Sequence, residues 1–314
     1  MNNKFEFLFF LILILIGCQN NNLPVNNISK SNSMPVVMSG GHIIFKGTIQ
    51  DTINVNFILD TGAPYTLICD STFAQRIGLT KIEQGPNNTR YKRVQSAEEE
   101  NKFQRMLITF AFGKVNGVSK SHAIIDMKRI IGDKAELLIG MEFMKNYIVE
   151  INYFNNTISF NKGNISNKNK LIDSIRINPV DKSKLRYEVL ATFYTQRGDS
   201  FKERCIIDLG ASGGTIGFST RLVKKHNLLY GINLKPEIKR EGTTMKGEVM
   251  TGHFATLKAI KIGKFKIDTP SVFFHTNKTG MTAAEPSLIG NYILRKFGHI
   301  YISFNKNMIY ITKP

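Results

Sequence analysis

An all-β fold is predicted, built as two β-barrel lobes related by a pseudo-twofold axis with a few short helices, and three observations carry it. Phe57-Ile58-Leu59-Asp60-Thr61-Gly62-Ala63 returns 148 residues later as Cys205-Ile206-Ile207-Asp208-Leu209-Gly210-Ala211. Each copy is followed by a short run ending in glycine, Leu137-Leu138-Ile139-Gly140 and Ser287-Leu288-Ile289-Gly290, whose glycines lie 80 and 82 residues beyond the respective Asp. Between these landmarks the apolar residues partly alternate, and no long amphipathic helix is written. A period this long means duplicated lobes, since solenoid units run ~20–50 residues. An apolar strand that ends in Asp and small residues puts a carboxylate on a tight turn, and two such turns can set two carboxylates face to face.

The chain opens with Lys4 and a nearly continuous apolar run from Phe5 to Ile16, broken only by Glu6. A membrane span needs ~20 apolar residues, so this shorter run reads as a signal-peptide core. It ends Leu15-Ile16-Gly17-Cys18, which resembles a bacterial lipobox. That resemblance implies a signal peptide over residues 1–17 and lipidation of Cys18 as the first residue of the mature protein. The expected location is then the bacterial cell envelope, anchored to a membrane and facing the periplasm or the outside. Residues 18–35, rich in Asn and Ser, are expected to be a flexible tether.

The first lobe is placed at residues 36–160. Ile43, Phe45, Thr48, Ile53, Val55, Phe57 and Leu59 alternate in part, with Gly47 and Asp51 as turn signals. Ser71-Thr72 and, 148 residues on, Ser219-Thr220 each precede a short helical stretch that a hydroxyl can cap. Phe112-Gly113-Lys114-Val115 and Ile262-Gly263-Lys264-Phe265 are matching hairpins displaced by 150. Ile151-Asn152-Tyr153-Phe154-Asn155-Asn156 and Ile302-Ser303-Phe304-Asn305-Lys306-Asn307 match at 151. Residues 161–170 form the expected linker and residues 171–314 the second lobe, where Val189, Ala191 and Phe193 lead into the turn Arg197-Gly198-Asp199. A 314-residue chain is the size at which each lobe can bury its own core.

Lipidation of Cys18 leaves two thiols, Cys69 and Cys205; constant displacement aligns them with Gly217 and Phe57, so they are not equivalent and read as buried free thiols. The net charge of +18 survives removal of residues 1–17, which lose one Lys and one Glu. Solvated Lys-rich loops account for it, and without an aromatic-basic motif nucleic acid is not the expected partner. The six His residues show no ligand spacing, so no metal or cofactor is expected.

From about residue 40 to the end, the layout resembles the aspartic peptidases of the pepsin-like and retropepsin-like group. The resemblance implies that Asp60 and Asp208 form a catalytic pair, with Thr61, Gly62 and Gly210 supporting it. An apolar-apolar-Gly element would lie under each aspartate, here ending in Gly140 and Gly290. Asp60-Thr61-Gly62 matches the family turn in full; Asp208-Leu209-Gly210 departs at its middle residue. In the family each middle Thr reaches across to backbone groups of the opposite turn, and Leu209 has no hydroxyl with which to do so. The implied activity is endopeptidase hydrolysis of an extended polypeptide. The alternative, resting on Leu209, is a non-catalytic envelope protein that holds a peptide or partner in the same groove. Two lobes in one chain complete the site, so a monomer is expected. A flap is expected over residues 84–105, with Tyr91 available to cap a substrate. Gly210-Ala211-Ser212-Gly213-Gly214 also fits the G-x-S-x-G pattern of serine hydrolases, but the first copy has no Ser there and the chain lacks a βαβ alternation.

Overall fold

The computed structural model describes residues 33–77, 108–119, 123–124, 127–165, 171–183, 185–211, 216–240, 249–284 and 286–312. The expected signal peptide, Cys18, the flap at 84–105, Tyr91 and Ser212 lie outside them.

In the first lobe the order is β1 (Met34–Ser39), β2 (His42–Ile49), β3 (Ile53–Leu59), β4 (Leu67–Ile68), α1 (Ser71–Arg76), β5 (Ile108–Phe112), β6 (Val115–Ser119), β7 (Ala123–Ile124), α2 (Lys128–Ile131), β8 (Leu137–Ile139), α3 (Met141–Met144), β9 (Ile148–Asn152) and β10 (Thr157–Asn161). The second lobe has β11 (Leu171–Pro179), β12 (Tyr187–Tyr194), β13 (Ser200–Asp208), β14 (Ile216–Phe218), α4 (Thr220–Lys225), β15 (Ile238–Arg240), β16 (Met250–Thr256), β17 (Ala259–Ile262), β18 (Phe265–Asp268), β19 (Ser271–His275), α5 (Met281–Ala284), β20 (Leu288–Gly290), α6 (Asn291–Arg295), β21 (His299–Ser303) and β22 (Met308–Thr312). The fold is mostly β with a few short helices. β1 begins at Met34, inside the stretch expected to be tether, and β10 ends at Asn161, the first residue of the expected linker.

One antiparallel sheet joins the lobes, in the order β1-β10-β9-β21-β22-β11. At its centre Glu150 pairs with Tyr301, while His299 pairs with Asn152 and Ser303 with Ile148. Residues 150 and 301 are repeat equivalents, so the pseudo-twofold axis passes between them. β1 and β11 each leave this sheet partway and continue on β2 and β12 of their own lobes.

Within each lobe the strand before the Asp turn and the strand after it flank one short strand. β8 runs parallel to β3 and antiparallel to β4, and β20 does the same between β13 and β14. The apolar run before each glycine is therefore buried between two strands, which explains why it does not alternate. Phe45, Phe57, Phe110, Phe112, Phe143 and Phe160 fill the first lobe with ring centroids 5.0–6.1 Å apart.

The structure corrects three readings from the sequence. Leu67 pairs with Leu138 and Gly217 with Leu288, so Leu67 corresponds to Gly217 and Cys69 to Ser219, a displacement of 150. The second lobe therefore has two extra residues between Asp208 and Ile216. The cap of α1 is Asp70, whose carboxylate accepts from the Thr72 and Phe73 amides; Ser219 precedes α4 but makes no side-chain cap bond. Gly47 sits within β2 rather than at a turn, because β5 passes so near that a Cβ would lie 2.4 Å from the Ala111 carbonyl oxygen. Cys69 and Cys205 are buried and not disulfide-bonded.

Candidate active site

β3 delivers Asp60 and β13 delivers Asp208 to the inner ends of their lobes. Both strands are pinned from beneath: Leu59 pairs with Ile139, the Asp60 amide donates to the Ile139 carbonyl at 3.1 Å, and Asp208 pairs with Gly290. Gly140 is required where the first turn folds over β8, since a Cβ there would lie 2.3 Å from the Tyr65 carbonyl oxygen and 2.9 Å from that of Ala63. The Met141 and Glu142 amides then hold this turn through the Ala63 and Pro64 carbonyls, each at 2.9 Å.

Across the axis each aspartate lies against the opposite lobe's glycine. A Cβ on Gly210 would fall 2.2 Å from Asp60 Cγ, and one on Gly62 would fall 2.7 Å from Asp208 Cγ. No side chain fits at either position, so the two glycines let the carboxylates approach until they hydrogen-bond each other. Each carboxylate is also oriented by its own turn. Asp60 Oδ1 accepts from Gly62 N at 2.7 Å and Ala63 N at 3.1 Å, and Asp208 Oδ1 accepts from Gly210 N at 2.9 Å.

Thr61 ties the lobes together. Its hydroxyl donates to the Ile207 carbonyl at 2.7 Å and accepts from the Leu209 amide at 3.0 Å. The mirror-related groups are the Leu59 carbonyl and the Thr61 amide, and Leu209 offers them neither donor nor acceptor. Its side chain is instead fully buried in the main core. The lock is one-sided.

Burial, with the negative charge of Asp208 beside it, pushes the Asp60 carboxyl well above the usual carboxylate range, against the pull of the Gly62 and Ala63 amides. Burial also raises Asp208, which keeps some exposure. There the hydrogen bond to Asp60, the Gly210 and Ala211 amides and the charge of Arg186 pull back. Two carboxylates in such contact cannot both ionise, so the pair retains a proton and titrates as a unit. A pair of this kind can take one proton and give another within one site.

The pairing of neighbouring strands adds two residues that the sequence reading missed. Ile44 pairs with Ile58 and Glu188 with Ile206; continued by two residues, these registers set His42 opposite Asp60 and Arg186 opposite Asp208. The two are equivalents displaced by 144 rather than 148, because the hairpin before Asp60 is four residues shorter. His42 is buried with neither ring nitrogen hydrogen-bonded, and burial together with the charge of Lys134 lowers its pKa. Arg186 is half-buried and charged.

Residues 45–143, just under a third of the chain and all within the first lobe, match a family model described as Aspartyl protease. No curated protein matches the chain. Among solved structures, a retropepsin-like aspartic protease from Rickettsia conorii is similar, with a TM-score of 0.32 and 17% identity, over 45% of this chain and 99% of that chain.

Proposed function

We propose that the protein is an aspartic endopeptidase in which Asp60 and Asp208 activate one water against a peptide carbonyl. The observation that carries this reading is the reciprocal packing of each carboxylate on the opposite lobe's glycine, which leaves two acids sharing one proton. The ionised member takes a proton from the water as its oxygen bonds to the carbonyl carbon. The neutral member gives its proton to the carbonyl oxygen. Return of a proton from the tetrahedral centre to the pair, protonation of the departing nitrogen and cleavage of the C–N bond yield acid and amine and restore the singly protonated pair. Neither metal nor covalent intermediate is needed. An extended chain suits a groove between β lobes, where its backbone can pair with strand edges.

The match of residues 45–143 to the aspartyl protease model supports the first half of this site. The second reading, a groove that binds a peptide without cleaving it, draws on Leu209 and its missing half of the lock. Soluble protein from about residue 24, incubated with denatured casein between pH 3 and 7 as a broad acid-to-neutral range, separates the two. Cleavage that disappears in both Asp60→Asn and Asp208→Asn supports the peptidase; intact casein with wild-type protein supports the binder. We further propose that Cys18 carries a lipid that holds the protein on the envelope membrane. Cys18→Ala should move it to the soluble fraction, and continued retention would mean another attachment.

A further inference from the structure

We propose that Arg186 is a positioning residue of the aspartate pair: set across β12 and β13 from Asp208, its guanidinium keeps the negative charge on Asp208 and leaves the retained proton on Asp60. This rests on the peptidase reading for its catalytic meaning, but its electrostatic content can be tested without activity.

The placement follows from the backbone. The Arg186 carbonyl accepts from Val180 N at 3.0 Å, which holds this residue on the line of β12 beyond Tyr187. Pro179 pairs with Tyr187 on one side, and Glu188 pairs with Ile206 on the other. The second ladder brings Arg186 opposite Asp208 at its open end, and directly opposed residues of antiparallel strands project to the same face. Burial alternates accordingly: Tyr187 and Val189 are buried, while Arg186, Glu188 and Asp208 are partly exposed.

The groups around Asp208 make the pair unequal. From the opposite lobe it meets Asp60, and from its own turn the Gly210 and Ala211 amides. β20, paired along β13, brings Leu288, Ile289 and Gly290, none of them ionisable. Arg186 stands just before β12, and two residues further on is Glu188, which is bound to Arg204 at 3.0 Å. At the corresponding place Asp60 has His42, whose pKa burial and the charge of Lys134 lower. The strand registers thus set a fixed cation opposite Asp208 and a histidine of lowered pKa opposite Asp60, so ionisation goes to Asp208 and the proton to Asp60. Asp208 becomes the base that takes the water proton, and Asp60 the acid that protonates the carbonyl.

Removing the cation makes every ionisation of the pair harder, so both limbs of the pH–rate profile should rise. Arg186→Gln is expected to shift both limbs of kcat/KM upward by roughly one pH unit, and Arg186→Lys to restore them. A loss of rate without displacement of either limb in Arg186→Gln would reduce Arg186 to a packing role and overturn the proposal. Carboxyl carbon NMR of full-length protein with labelled Asp, assigned with Asp60→Asn and Asp208→Asn, gives the same answer in protein that cleaves nothing. Wild type should show Asp208 ionising at lower pH than Asp60, with the gap narrowed in Arg186→Gln. Asp60 ionising first, or identical titrations in wild type and variant, would refute the assignment even if casein is cleaved.

Discussion

At the scale of single residues, the site is held by atoms that are missing as much as by atoms present. Gly210→Ala would drive a methyl into Asp60, since the Cβ position lies 2.2 Å from Asp60 Cγ. A displacement of about 1 Å at reacting groups costs on the order of 100-fold in rate. We expect that loss in kcat/KM, with near-native circular dichroism; wild-type rates would show the glycine to be dispensable. Thr61→Val deletes both bonds of the lobe lock and strands the Ile207 carbonyl and the Leu209 amide. At about 1–3 kcal/mol for each buried group left unpaired, its urea midpoint should fall clearly. Leu209→Thr acts in the opposite sense. It supplies the hydroxyl for Leu59 O and Thr61 N but opens space in a packed core, and the two effects nearly cancel in stability at about 1 kcal/mol each. Its gain should appear in kcat/KM, and an unchanged rate would show that the one-sided lock already suffices.

At the scale of elements, the shared sheet joins the lobes, and a side-chain relay at its end adds to the Thr61 lock. The Tyr153 hydroxyl donates to Asn291 Oδ1 at 2.7 Å, and Asn291 Nδ2 donates to the Gly41 carbonyl at 2.9 Å. Asn291 follows Gly290 at the start of α6, while Gly41 precedes His42 of β2, so the relay fixes the floor of one aspartate against the strand flanking the other. Asn291→Ala should cost about 1–3 kcal/mol, and less when Tyr153→Phe is added, because that removes the orphaned hydroxyl. Denaturant midpoints of the four proteins in the cycle measure the coupling; simple additivity would dissolve the relay. The same elements show what was legible in the sequence. Both Asp turns, both glycine-ended runs and the flanking hairpins were visible because they sit at nearly constant displacement. The two residues added after Asp208 and the four-residue difference before it were not. Strand pairing reveals such length changes, whereas a fixed-offset comparison passes over them. That is why Ser219 was matched to Ser71 and Arg186 went unnoticed beside His42. Gly47 misled for a different reason: a glycine that admits a neighbouring strand reads, in one dimension, like a glycine that turns the chain.

At the scale of the whole molecule, the aspartate pair is a liability to folding under the conditions that ionise it. Burial and Asp208 raise the Asp60 pKa above its unfolded value. Its contribution to stability is therefore fully present below the unfolded pKa of about 4 and is lost as pH rises through the folded value. Asp60→Asn mimics the protonated acid, keeping an acceptor for Gly62 and Ala63. It should unfold at higher denaturant concentration than wild type at pH 8 and lose that advantage toward pH 4, the region of the unfolded-state pKa. A variant less stable than wild type at every pH would show that the pair is not strained by ionisation. Two lobes that meet on a central Glu150–Tyr301 pair bring both acids into one chain. The central claim is that these acids serve a single tetrahedral centre, and the affinity for a peptide with a secondary hydroxyl in place of the scissile carbonyl tests it most directly. Calorimetry should show this mimic binding wild type at least ~100-fold more tightly than the matching uncleaved peptide, with the advantage gone in both Asp60→Asn and Asp208→Asn. Equal affinity for the two peptides in wild type, or an advantage that survives either substitution, would contradict it.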